Sequence, residues 1–414
     1  MVKSLLLSLF FASIIDGNSF RAHIFGHCWV LEDRAKQASE QIRFIYKKAR
    51  KMSNLREKQI AALGKMITLS ESENPAFSDQ WKVLIYDEDC RSVISPLLNV
   101  SALRQKGVTL HLLLHSEREP ITDAPAAYFI RPTDENLRRV AEDCSKRLYR
   151  SIFLHFLTKI DRMQLENFAK DLVSTNSVSL ISKVYDQYMD IIALEPYLFT
   201  LNIKNSFIAY NDPSLQEIHI KQFITRMSYG LLSMIRLLGT IPIIRAPPGG
   251  PAEMLAHELC TLLRDQITIR SNTTSNNLFI DCMNTMDHRN RPLLVLFDRT
   301  FDMSPPLLHT STYQALIDDL LDHTLNRVTI EPSATSKPGT KKTYYDLNTT
   351  ADLFYSQYSR APIPEAVEAN VRDLEEVTRI ESDLRSGRTA DHTNSGIQFT
   401  LTLLILLLLQ TPYA

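Results

Sequence analysis

Apolar residues in this chain come in two spacings: short dense runs, and stretches in which they return every three or four positions. Dense runs at 83–86, 109–114, 127–130, 152–156 and 189–194 read as strands, because a strand covered on both faces has no polar side to display. Helical spacing fills the intervals. Ile60, Leu63 and Ile67 line one side of a helix opening near Leu55. Ser95 caps a helix with Pro96 at its first position, and Gly107 stops it before the second strand. A helix from about Asp134 places Leu137, Val140, Ala141 and Leu148 on one face, and further helices are expected over 163–173 and 178–188. Strands alternating with helices predict an α/β domain, an open parallel sheet covered on both sides, over residues 55–195.

A second α/β stretch is expected over 196–305. Residues 199–201 and 207–210 are short strand candidates, and 214–238 is a long helical pattern closed by Gly239. A strand over 241–245 and a helix from Ala252 to about Asp265 come next. At 293–297 five apolar residues in succession predict a strand buried on both faces, ending in the charged pair Asp298 and Arg299. Pro305 and Pro306 forbid regular pairing beyond it. Residues 311–314 (STYQ) then read as a capping box, opening a helix with Tyr313, Leu316, Ile317, Leu320 and Leu321 on one face. Residues 331–343 are polar and carry Pro and Gly, which predicts a loop. Over 365–385, Val367, Val371, Leu374, Val377 and Leu384 form one side of a charged helix, a stripe expected to pack into a core.

A chain of 414 residues that is 44% hydrophobic has enough apolar surface for more than one core. Its 46 basic and 47 acidic residues leave a formal net charge of −1, so no overall electrostatic footprint points to nucleic acid. The five cysteines, Cys28, Cys90, Cys144, Cys260 and Cys282, are odd in number and contain no CxxC pair, which fits free thiols in a reducing compartment. The two ends point elsewhere. Lys3 with the apolar stretch 5–15 resembles a secretory signal, and the apolar stretch 399–409 behind Ser386 and Gly387 resembles a lipid-anchor signal. Sequons at Asn99, Asn272 and Asn348 suit the same alternative, a secreted, lipid-anchored binding protein.

Motifs for catalysis and cofactor binding are missing: there is no GxGxxG, Walker loop, GxSxG or HExxH, and Gly249 and Gly250 lie between prolines. No cofactor or metal is expected. Asp298 and Asp302, with Asp87 as a more distant candidate, are the carboxylates closest to a divalent-ion site, and they carry the alternative of an α/β enzyme. Arg299 between them favours a salt-bridged loop. Binding residues are more informative. Leu165, Phe168 and Ala169 stand at i, i+3 and i+4 of one expected helix, and Ile181 and Val184 repeat the three-residue step on the next. The two stripes either line a shallow groove between helices or both face the sheet. Arg91, Glu117 and Arg118 are charged residues in loops expected after the first two strands.

The run 292–299 (PLLVLFDR), then Asp302, SPPLLH and TYQALIDDLL, resembles the signature of the SM family of syntaxin-binding, SNARE-regulating proteins. Blocks at 81–87 (WKVLIYD), 94–98 (ISPLL), 107–120 (GVTLHLLLHSEREP), 123–136 (DAPAAYFIRPTDEN), 242–245 (PIIR) and 252–254 (AEM) are similar to its Sly-type, ER-to-Golgi branch. The resemblance covers about residues 55–385, and Ser311 departs from it where the family has a bulky aromatic. It implies a non-enzymatic regulator of vesicle docking and fusion in ER-to-Golgi transport, cytoplasmic and peripheral on ER and Golgi membranes through its partners. Leu165, Phe168, Ala169, Ile181 and Val184 match the pocket that grips the N-terminal peptide of a syntaxin, with Phe168 taking an apolar anchor and Leu165 and Ile181 as walls. Arg91, Glu117 and Arg118 would face the folded helical region of a syntaxin. Residues 306–390 would begin a mainly helical third domain that touches SNARE helices and assembled SNARE complexes. In the family the second sheet receives strands from the far C-terminus, so a partial second domain and a C-terminally truncated chain are expected, with 1–54 and 391–414 unmatched.

Overall fold

The structure is a computed structural model that describes residues 54–68, 81–271, 291–330, 342–349 and 351–385. All but Asn54 belong to the compact unit Leu55–Ala414. The apolar ends, the sequon at Asn272 and the expected loop at 331–343, except its last two residues, lie outside the described residues.

Helix α1 (Leu55–Thr68) buries Leu63, Met66 and Ile67. Its buried Gln59 donates to the Ile191 carbonyl at 2.6 Å and accepts from the Ala193 N–H at 2.9 Å, which ties the helix to a distant segment. Strand β1 (Lys82–Tyr86) leads into α2 (Glu88–Ile94), α3 (Val100–Gln105), β2 (Val108–Leu113), β3 (Ile121–Ile130), α4 (Asp134–Ser145), β4 (Tyr149–Phe156), α5 (Arg162–Ser174) and β5 (Ile181–Asp186). The five strands form one sheet in the order β2-β1-β3-β4-β5, with every pairing parallel. Alternate side chains divide between two cores. Ile85, Tyr128 and Leu154 pack with Val140 of α4 and Leu172 of α5, whereas Leu84, Phe129 and Leu157 pack with Ile67 of α1 and Val93 of α2. This is the α/β layering expected of dense runs covered on both faces.

Three details of that domain differ from expectation. Ser95 does not open a helix: Asp87 caps α2, accepting from the Cys90 N–H, Ser95 is the C-cap of α2, and Asn99 caps α3. Leu148 lies beyond the end of α4 and reaches the core from the following turn. Residues 178–188 are not a helix but a short 3-10 turn followed by the edge strand β5, because Ile181 and Val184 are β-branched and β4 offers an open parallel partner. The fifth strand of the sheet is therefore β5. The run 189–194 instead enters β6 (Ile192–Glu195), which pairs antiparallel with β7 (Leu198–Thr200) in a separate ribbon.

Residues 207–210 are helical, within α6 (Ser206–Asn211), and the turn brings the Phe207 and Tyr210 rings edge to face at 5.8 Å. Helix α7 (Glu217–Leu238) ends at Gly239, whose φ of 74° is the left-handed conformation glycine tolerates. Strand β8 (Ile243–Arg245), helix α8 (Pro251–Ser271) and strand β9 (Leu293–Val295) follow, with β8 and β9 forming a two-stranded parallel sheet. Leu294 and Leu296 pack toward α7 and α8, but Leu293 is 60% exposed and Phe297 62%. The run expected to be buried on both faces is covered on one among the described residues.

Helix α9 (Tyr313–Leu320) starts without a side-chain cap. The backbone carbonyls of Ala361 and Ser359 accept from the N–H groups of Tyr313 and Gln314 at 3.0 and 2.9 Å, so a neighbouring segment does the work expected of the capping box. Strands β10 (His323–Thr324), β11 (Arg327–Ile330) and β12 (Thr343–Asp346) make an antiparallel ribbon, followed by α10 (Leu353–Tyr358) and α11 (Ile363–Arg385). Tyr313, Ile317, Val328, Tyr355 and Ala366 form their core. Among the described side chains of α11 only Ala366, Ala369 and Asn370 are buried, while Val371 is exposed and Leu374 and Val377 are half-buried. None of Val367, Val371, Leu374 and Val377 of the expected stripe is fully buried, and the Leu384 side chain lies outside those described.

Candidate functional site: a groove between a helix and an edge strand

Helix α5 begins at Asp161, whose carboxylate accepts from the Met163 N–H at 3.1 Å. Phe168 and Leu172 point into the sheet core. Leu165 is 38% exposed on the outer flank, and Ala169, one turn on, is exposed with it. The 3-10 turn Val178–Leu180 then delivers the chain to β5, the last strand of the sheet.

In a regular strand, residues three apart face opposite sides. Here Ile181 pairs with Ile152 and Val184 with Leu154, and the register shifts between them, so β5 carries one extra residue. Ile152 and Leu154 both face α5, and so do Ile181 and Val184. Ile181 packs against the core as a partly buried residue and Val184 is 42% exposed. The candidate residues therefore belong to a helix and an edge strand rather than to two helices, with Leu165 and Ala169 exposed on α5 and Ile181 and Val184 on the side of β5 that faces α5. Phe168 is the exception in role. At 4% exposure it is a floor residue packed in the core, not a surface that receives an anchor directly. Val173 and Val178, both exposed, extend the apolar flank and were missed, although Val173 continues the i, i+4 line from Leu165 and Ala169.

The charged residues separate. Arg91 lies on α2 rather than in a loop, and pairs with Glu88 at 3.3 Å on the surface. Glu117 is exposed. The Arg118 side chain is buried: it donates to Asp143 and to the Leu114 carbonyl, each at 2.7 Å, and Tyr128 donates to the same carboxylate at 2.9 Å. Its guanidinium is committed inside the domain and does not face a partner. A second network, not foreseen, gathers at the C-terminal ends of β1 and β3. Arg131 donates to both carboxylate oxygens of Asp190 at 2.9 and 2.6 Å and also to Asp89. Burial opposes the Arg131 charge, but Asp190 and Asp89 together outweigh it and hold its pKa above the ordinary arginine value.

Asp87 accepts from the N–H groups of Cys90 and Arg131 and from Asn136, so its oxygens serve the fold. Asp298 accepts from the Ala252 N–H at 3.0 Å in the first turn of α8, and Asp302 from the Ser304 N–H at 2.9 Å. Arg299 forms no ion pair with either among the described residues, so the expected salt-bridged loop is a pair of backbone caps. Among the described residues no group of three His, Cys, Asp or Glu side chains is placed to hold a metal ion, and no helix is long and apolar enough to cross a membrane.

A model of the Sec1 family matches residues 82–398. Sec1 family domain-containing protein 1 of Rattus norvegicus is 39% identical over 350 residues, which cover 80% of this chain and 54% of the relative. Protein SLY1 of Saccharomyces cerevisiae is 35% identical over 342 residues, covering 77% and 50%. The crystal structure of Sly1p in complex with an N-terminal peptide of Sed5p superimposes with a TM-score of 0.66 at 30% identity, covering 86% of this chain and 58% of that one. The chain spans about half the length of the curated relatives it matches.

Proposed function

The chain belongs to the Sec1 family, and from that premise we propose that it is a non-enzymatic binding protein for syntaxin-class SNAREs in ER-to-Golgi vesicle transport. The N-terminal peptide of the syntaxin lies in the groove between α5 and β5. The observation that carries this reading is the extra residue in β5, which puts Ile181 and Val184 together on the side of the edge strand that faces α5. An apolar anchor of the peptide enters between Leu165 and Ile181, above Phe168. Apolar side chains beside a sheet edge suit a short peptide with one buried side chain.

The relative that superimposes on the chain supports the same reading, since Sly1p was solved with an N-terminal peptide of Sed5p. Residues 55–195 would be the peptide-binding domain, 196–305 a partial second α/β domain and 306–390 the start of a helical domain. Arg91 and Glu117 are retained as surface charges that orient the folded part of a syntaxin, where charge sets encounter rate more than affinity. The side of α11 around the exposed Val371 would touch assembled SNARE helices. The protein would sit on the cytoplasmic side of ER and Golgi membranes, held there by these partners.

The test is titration of a fluorescent syntaxin N-terminal peptide into the full chain, read by anisotropy. Saturable binding that Leu165→Lys abolishes, with the circular dichroism spectrum unchanged, is the expected result. Unchanged affinity in Leu165→Lys would remove the groove from the mechanism.

A further inference from the structure

Residues 313–385 carry a core of their own. Tyr313, Ile317, Val328, Tyr355 and Ala366 pack with one another, and among the described residues none before Tyr313 belongs to that cluster. Between this body and the ribbon of β6 and β7 lies a cavity of about 870 Å³. The ribbon supplies Glu195, Leu198 and Phe199 to its wall, and the other side supplies Gln314, Ile317 and Arg360. Cavities of this size between separately packed bodies are a common place for a small ligand.

The charges on the lining divide by sign. Both carboxylates have partners inside the chain: Glu195 accepts from Gln314 Nε2 at 2.8 Å and from the Tyr355 hydroxyl at 3.1 Å, and Asp318 lies 2.9 Å from Nε2 of His323. The three cations, Lys204, Arg299 and Arg360, are exposed and form no ion pair among the described residues. Negative charge is thus matched from within and positive charge is left over.

Turns fix where the cations stand. Lys204 precedes Asn205, whose left-handed φ of 56° opens α6. Arg299 begins a 3-10 turn in which the Phe301 N–H donates to the Asp298 carbonyl at 3.0 Å. Burial and Asp298 raise the Tyr210 pKa while Arg299 lowers it, so Arg299 stands beside α6, as Lys204 does. Arg360 is held elsewhere, its guanidinium 5.3 Å from the centre of the Tyr197 ring in the turn between β6 and β7. Phe199, Ala315, Leu325 and Leu347 make part of the wall apolar. Low-dielectric walls under unpaired cations focus the positive field and concentrate anions.

Positive charge in two places, with an arginine in each, calls for a ligand with more than one anionic group. A phosphate brings up to about two charges and three acceptor oxygens, which suit the fork of an arginine. We propose that this cavity binds a small organic polyphosphate, with one phosphate against Lys204 and Arg299 and another against Arg360, either as a free molecule or as the headgroup of a lipid. Its lining shares no residue with the face of α5 and β5 assigned to the syntaxin peptide, and its occupation does not depend on that peptide.

The experiment titrates inositol 1,4,5-trisphosphate into the full chain by calorimetry, and in parallel sediments the chain with phosphatidylcholine vesicles carrying about 5% phosphatidylinositol 4,5-bisphosphate. Saturable binding in at least one arm is expected, weakened about tenfold or more in Lys204→Glu and in Arg360→Glu with circular dichroism unchanged. Lys146→Glu, which changes an exposed cation outside the cavity, and Leu165→Lys should bind as the parent does. Sedimentation that the free trisphosphate reverses identifies a lipid headgroup, and binding of the trisphosphate without sedimentation identifies a free ligand; either supports the site. No binding in both arms by the folded protein, or undiminished binding in Lys204→Glu and Arg360→Glu, would overturn it. So would an equal loss in Lys146→Glu, which would reduce binding to overall charge, or tighter binding of a glutamate-rich peptide, which would make the cavity a protein-docking surface.

Discussion

Strands β4 and β9 are both dense apolar runs, yet Ile152, Leu154 and Phe156 of β4 are fully buried while Leu293 of β9 is 60% exposed. β4 is flanked by β3 and β5, with helices packed on both faces of the sheet. β9 has β8 as its strand partner, and α7 and α8 cover one side. A dense run therefore reports what a strand is able to bury, and the neighbours decide what it does bury. The same contrast separates the charged residues. Arg118, in the five-stranded domain, is buried on Asp143, whereas Asp298, beside β9, does the local work of capping a helix.

The contrast is sharpest in stability. Leu154→Ala should cost about 2–5 kcal/mol in urea unfolding, because the cavity it leaves is enclosed on both sides. A cost near zero would mean that the five-stranded core is not closed as described. The next effect is one of pH. His155 has a folded pKa near 4 against 6.5 for the unfolded ring, so between those values the unfolded chain binds more protons and stability rises with pH. Lowering the pH from 6.5 to 4 should remove up to about 3 kcal/mol, and His155→Phe should flatten that slope. A smaller effect is expected beside β9: Asp298→Ala, which frees the Ala252 N–H, should cost about 1 kcal/mol. The smallest is Leu293→Ser, expected within about 0.5 kcal/mol because the side chain already meets solvent. If Leu293→Ser instead matched Leu154→Ala, the face of β9 would be covered by something in solution.

Much of the five-stranded domain was legible because its strands are buried on both faces, and sequences with no polar side leave little choice. The helix that carries Leu165, Phe168 and Ala169 was legible through spacing. β5 was not. Val178, Ile181 and Val184 keep a three-residue step that fits a helix, and the shift in register that puts Ile181 and Val184 on one face of a strand leaves no mark in composition. The start of α9 was misread in a similar way, because the groups that satisfy its N–H donors come from residues 359 and 361, far along the chain. Arg118 looked like a surface charge because nothing near it in sequence announces Asp143, 25 residues away.

By itself the sequence determined the kind of structure: where apolar runs demand a covered sheet and where helices lie between them. Those are local requirements, set by side-chain chemistry and by spacing over a few residues. Tertiary structure alone decided that β5 is a strand, that its extra residue turns two side chains toward α5, that the Arg118 side chain is buried and that His155 is buried. Each of these depends on which distant backbone lies alongside, and pairing across a sheet or burial against another element carries no signature in the nearby sequence.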